Sequence, residues 1–174
     1  AQDGNFVFCT NYAVAKTQWP GTYASGYMAK VDTSLHLLWE KLYGDSSLID
    51  VYQGLNNVTE LNDGSLIAVG ATYNDTILPY YYQHQNGVVI KTDANGNQIW
   101  SREYRGVTRI GQQLEQNILY DSEILSDGSI VACGVAQDDN DTFPQRAWLL
   151  RIDDNGCMDN SWCGYTEIEE LQQT

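Results

Sequence analysis

The 174-residue chain is short of several things at once. It has 9 basic residues against 23 acidic ones, 2 His, 3 Phe and 3 Pro. The net charge of −14 repels phosphate backbones and anionic membrane surfaces, so no nucleic-acid partner is expected. No run approaches the ~20 apolar residues of a membrane helix, so no membrane insertion is expected either. No G-x-S-x-G elbow, H-E-x-x-H pair or phosphate loop is present, and nothing else assembles a catalytic set. The chain is therefore read as not an enzyme. No signal peptide stands at Ala1, which points to a cytosolic chain or a mature, processed one.

What is abundant is tyrosine, 12 residues beside 5 Trp. Amphipathic aromatics suit half-buried sheet surfaces. They recur with order. Lys30-Val31-Asp32, Lys91-Thr92-Asp93 and Arg151-Ile152-Asp153 share a period of about sixty residues, as do Trp39 and Trp100 and the Asp-Gly pairs at 3, 63 and 127. Each unit reads as four short antiparallel strands. In the first full unit these are YMAKVD, LLWEKLYG, NNVTEL and SLIAVGAT. The expected fold is all-β, with propeller-like repeats and about three units in the chain. The units run roughly 1–25 (partial), 26–85, 86–145 and 146–164 (partial), followed by an acidic tail or linker at 165–174. Short helical turns are expected around Gln112–Asn117 and in that tail. A closed propeller needs roughly four to eight blades, so a piece of a longer propeller is expected.

Asp32, Asp93 and Asp153 recur once per unit. A residue needed once for chemistry would not be copied into every unit, so these read as structural turn caps. Lys30, Lys91 and Arg151 read as an exposed strand position. The turn Asp93-Ala94-Asn95-Gly96-Asn97 spaces its oxygens as a calcium loop does. The twelfth position is Tyr104 rather than Glu, however, so an Asx hairpin turn is favoured and calcium is the alternative. No cofactor and no other metal are expected.

Two connections depart from the repeat, residues 74–85 and 137–145. The first carries Tyr80, Tyr81, Tyr82 and His84, an aromatic group suited to stacking on a sugar or gripping a protein. Cys157 and Cys163 bracket MDNSW where the repeat ends, a spacing that a disulfide can close. Cys9 and Cys133 align with Val69 and read as small buried core sites holding free thiols. Asn57-Val58-Thr59 is one of three N-glycosylation sequons in form.

IKTDANGNQIWSREYRG followed by ILSDGSIVACG resembles the propeller-like repeats of secreted Bacteroidetes surface proteins. RIDDNGCMDNSWCG resembles the closing element that precedes their type IX secretion sorting domain. The resemblance covers roughly residues 1–164. It implies a bacterial, extracellular or cell-surface protein, and it makes Thr76 a candidate O-glycosylation site. Together these readings point to a non-catalytic, adhesin-like binding or scaffold module with a protein or glycan partner, or with further blades of a longer chain. A glycan-active or quinoprotein-like propeller enzyme fragment is one alternative. A structural subunit pairing with other chains in a surface assembly is the other.

Overall fold

The computed structural model describes residues 1–15, 22–44, 51–74, 85–106, 116–137 and 145–158. They form ten strands, and no helix occurs among them. The strands are β1 (Phe6–Ala15), β2 (Thr22–Val31), β3 (Leu37–Tyr43), β4 (Val51–Glu60), β5 (Leu66–Asn74), β6 (Gln85–Thr92), β7 (Gln98–Tyr104), β8 (Gln116–Ile124), β9 (Ile130–Gln137) and β10 (Arg146–Ile152). Gln116 and Asn117, expected near a helical turn, open β8 instead.

Hydrogen bonding joins β1-β2-β3 into one antiparallel sheet. A second path runs β10-β9-β8-β6-β5-β4, with β7 on the free side of β6. Its one parallel junction is a single pair, Gln85 with Gln116. On either side of that junction the strands form two antiparallel meanders, β4 to β7 and β8 to β10. So narrow a junction lets β8–β10 turn away and lay a face on its neighbour. The β4–β7 meander joins the last two strands of one sequence unit to the first two of the next.

Burial shows three layers. One core combines Ile67, Val69, Val89 and Tyr104 of the middle sheet with Leu119, Ile130, Trp148, Leu150 and Ile152 of the last. The other combines Met28 and Tyr43 of the first sheet with Leu55, Ala68, Val88 and Ile90 of the middle one. Side chains alternate across a strand, so β5 and β6 send neighbouring residues into different cores. This is why β6 is buried along its whole length and reads as the near-continuous apolar run GVVI. β3 and β7, which lie at sheet edges, alternate apolar and charged residues.

The chain reverses in two ways. Six tight turns follow Ala1, Asp32, Leu61, Asp93, Leu125 and Asp153. Each returns an N–H to the carbonyl of its first residue, as Gly64 does to Leu61 and Gly96 to Asp93, both at 3.0 Å. Five of the six place Gly in the left-handed region, with φ between 75° and 83°. This is the three-residue hairpin loop that ends in a left-handed residue. Because the strands alternate direction, all six turns lie at one end of the sheets. The five longer connections (16–21, 45–50, 75–84, 107–115 and 138–144) join strand ends at the other.

Candidate binding surface

The turn end is occupied by the fold itself. Asp93 Oδ1 accepts the N–H groups of Asn95 (2.8 Å) and Asn97 (2.9 Å), while Oδ2 accepts Asn97 Nδ2 at 2.8 Å. Asp32 and Asp153 cap their own turns through the same backbone positions. The recurring aspartates are thus turn caps, as the repetition implied. Both Asp93 oxygens accept from donors of its own turn, which is the hairpin geometry. No group of three or more His, Cys, Asp or Glu is placed to hold a metal among the described residues.

The turns at Asp93 and Asp153 also receive the preceding sheet. The Tyr43 hydroxyl donates to the Gly96 carbonyl at 2.7 Å, and the Tyr104 hydroxyl donates to the Gly156 carbonyl at 2.8 Å. Burial, above all, pushes both phenols up, so they stay protonated donors. Beside Tyr104, Trp100 Nε1 donates to Asp154 O (3.2 Å) and Arg102 Nε donates to Asn155 O (2.9 Å). A Cβ on Gly156 would lie 2.7 Å from Arg102 Cδ, and one on Gly96 would lie 2.8 Å from Trp39. Glycine is favoured at both turns by this approach as well as by φ.

Lys30 and Lys91 are buried, contrary to the exposed position expected from their period. Lys30 pairs with Asp3 at 2.6 Å, and Lys91 pairs with Asp154 of the following turn. Their aliphatic stems lie on the inter-sheet face while the ammonium groups reach a carboxylate at its rim. Arg151, at the equivalent place, is exposed and pairs with Asp127.

The opposite end carries a buried amide network. Asn117 Nδ2 donates to the Gln85 carbonyl (2.9 Å), and its Oδ1 accepts the Gly106 N–H (2.8 Å). Asn86 donates to Glu103 Oε2 (2.6 Å) and accepts from Arg105 Nε (2.5 Å). Asn117 is fully buried and Asn86 nearly so. The network ties the heads of β6 and β8 together where connections 75–84 and 107–115 arrive. The buried Thr72 hydroxyl, opposite Asn86 in the ladder, has no hydrogen-bond partner among the described residues. The sequence hinted at these residues only faintly. Asn86 stands where the other units have Ser25 and Arg146, and an amide heads the third strand in both full units, as Gln53 and Asn117.

Tyr80, Tyr81, Tyr82, His84 and Thr76 lie outside the described residues, between two strands that end at this network. Cys163 and the 165–174 tail also lie outside them. Cys157 carries no free thiol, whereas Cys9 and Cys133 do. Burial pushes the Cys9 thiol up to about 11. Both thiols were expected to be buried; Cys9 is half-buried against the first inter-sheet core, and Cys133 is exposed, because it faces the outer side of the last sheet. Asn57 and Thr59 of the sequon bond each other and Ser122 of β8.

Comparison with protein-family models gives no match, and comparison with curated proteins gives none either.

Proposed function

We propose that the chain is a non-catalytic binding or scaffold module of a secreted or cell-surface bacterial protein, built of stacked, propeller-like sheets. The observation that carries this reading is the separation of its two ends. Every tight turn at one end is capped by an Asp, and the turns at Asp93 and Asp153 are latched by a tyrosine of the preceding sheet. The strand ends that lead into the connections of varying length and composition lie at the other, where a buried amide network ties β6 to β8. Loops on a rigid scaffold are where binding residues concentrate. The longest of these connections holds Tyr80, Tyr81, Tyr82 and His84, which would face a protein or glycan partner. The type IX secretion route and a modification at Thr76 rest on the motif resemblance alone. A Cys157–Cys163 bridge completes the proposal. It is supported by the absence of a free thiol at Cys157, and it fits an oxidising compartment.

The test is retention of the purified chain on a glycan array and on immobilised surface proteins, beside a variant with Tyr80, Tyr81 and Tyr82 changed to Ser. Selective retention that falls at least about tenfold in the variant, at unchanged melting temperature, is the expected result. Silence on every surface would sink the binding reading. Intact mass without reduction reads the bridge directly.

A further inference from the structure

Call the face of each sheet that looks toward the start of the chain its leading face, and the other its trailing face. Both internal interfaces press a trailing face onto a leading face. Equivalent residues occupy them. Phe6, Leu66 and Ile130 hold one leading position, and Phe8, Ala68 and Ala132 hold the next. Met28, Val89 and Leu149 hold one trailing position, and Cys9, Val69 and Cys133 another. Leading positions are buried in the second and third sheets, where Leu66, Ala68, Ile130 and Ala132 are at most 2% exposed. In the first sheet Phe6 is 55% exposed and Phe8 44%. The trailing position reverses the pattern. Met28 and Val89 are at 0%, and Leu149 is at 52%.

Among the described residues one leading face and one trailing face are thus exposed, at opposite ends of the stack. The leading face carries Phe6, Phe8, Tyr12, Tyr27, Leu37 and Leu42, with Glu40 among them accepting from the Tyr27 hydroxyl at 2.7 Å. Tyr27 lies 6.3 Å from both Phe8 and Tyr12, centroid to centroid. So large an apolar face on one side of a sheet marks an interaction surface. The trailing face offers the smaller apolar side chains of Val131, Cys133 and Leu149, beside the exposed carboxylates of Asp121 and Glu123, the ladder partners of Cys133 and Val131. Of the three equivalent cations only Lys91 crosses an interface, to the turn that follows β10, while Lys30 and Arg151 pair within their own sheets with Asp3 and Asp127. The equivalent turn of the first sheet starts at Asp32. That turn receives no tyrosine from the described residues, whereas the turns at Asp93 and Asp153 each receive one.

We infer that the uncovered leading face binds the uncovered trailing face of a second copy of this chain, continuing head to tail the stacking already present within each copy. The contact is heterologous. Two copies close a ring if the rotation allows it, and otherwise the array extends. The inference rests on the sheet faces and not on the loop end.

Sedimentation of the whole chain across micromolar concentrations tests it. The expected result is a dimer or longer array that dissociates on dilution. Phe8→Asp and Leu149→Asp should each weaken assembly at least about a hundredfold, without altering the far-ultraviolet spectrum. A ring held by two contacts then falls to monomer in either variant. Mixing the two variants should restore a dimer, because each retains the face that the other has lost. Alkylation of Cys133 should slow as assembly proceeds and stay fast in either variant alone. A wild-type chain that remains monomeric, or a mixture that does, overturns the inference. So does a monomer that instead binds polysaccharide through Phe8 and Tyr12.

Discussion

Leu35 shows what a single side chain costs when a turn asks for glycine. It adopts φ 64° at the place where the equivalent turns use Gly96 and Gly156. A left-handed Leu is disfavoured by roughly 1–2 kcal/mol, and glycine returns part of that by loosening the unfolded chain. Leu35→Gly should therefore stabilise the protein by about 0.5–1 kcal/mol, read as a higher denaturant midpoint. The aspartates act at the same scale. A hydrogen bond from Lys30, first of all, holds Asp3 down at about 2, and local donors lower Asp32, Asp63, Asp93 and Asp127. An unfolded Asp titrates near 3.9. The stabilisation from the Asp3 carboxylate is therefore whole above about pH 4 and is lost as pH falls toward 2. The gap in urea midpoint between wild type and Asp3→Asn should close over that interval. A gap independent of pH would contradict the assignment.

At the scale of strands and turns, the hydroxyl contacts from β3 and β7 make each sheet's edge strand part of its neighbour. Removing one leaves a buried carbonyl unpaired. Tyr104→Phe should cost about 1–2 kcal/mol in equilibrium unfolding, and Tyr43→Phe a similar amount. Much of this level was legible in the sequence. The Asp-Gly and Asn-Gly spacings located the hairpin turns, and alternating Trp and Tyr located β3 and β7. Two things were hidden. A lysine at a strand position reads as solvent-exposed, and only the Asp3 and Asp154 carboxylates, distant in sequence, reveal why Lys30 and Lys91 are buried. The grouping of strands was hidden as well, because a sixty-residue period fixes the spacing of units but not where a sheet begins.

Across the molecule, burial is concentrated in the middle layer. Hydrogen exchange should find the β5 and β6 amides the slowest, and β1 and β3 at the sheet edges among the faster ones. Uniform protection across all three layers would argue against this stack. The candidate site was the least legible part. The tyrosine cluster stands out by composition, yet the amide network at the heads of β6 and β8 consists of ordinary Asn, Gln, Glu and Arg residues. Their roles exist only once β6 and β8 meet. Cys133 shows the same limit. Its alignment with Cys9 and Val69 was right, but burial depends on whether another layer lies against it.

The two ends of the sheets also differ in how they can change over evolutionary time. Lengthening a loop costs only about 0.6 kcal/mol per doubling. Residues added within 75–84 or 138–144 would be nearly free in stability. One residue added within 93–97 or 153–157 would dislodge a cap, a left-handed glycine and a tyrosine contact together. Foreign peptide grafted between Asp75 and His84 should therefore leave the melting temperature within a few degrees, while the same graft at Asn95 should abolish folding. One rim is thus held by caps and glycine turns, while the strand ends at the other lead into the connections that differ most between units.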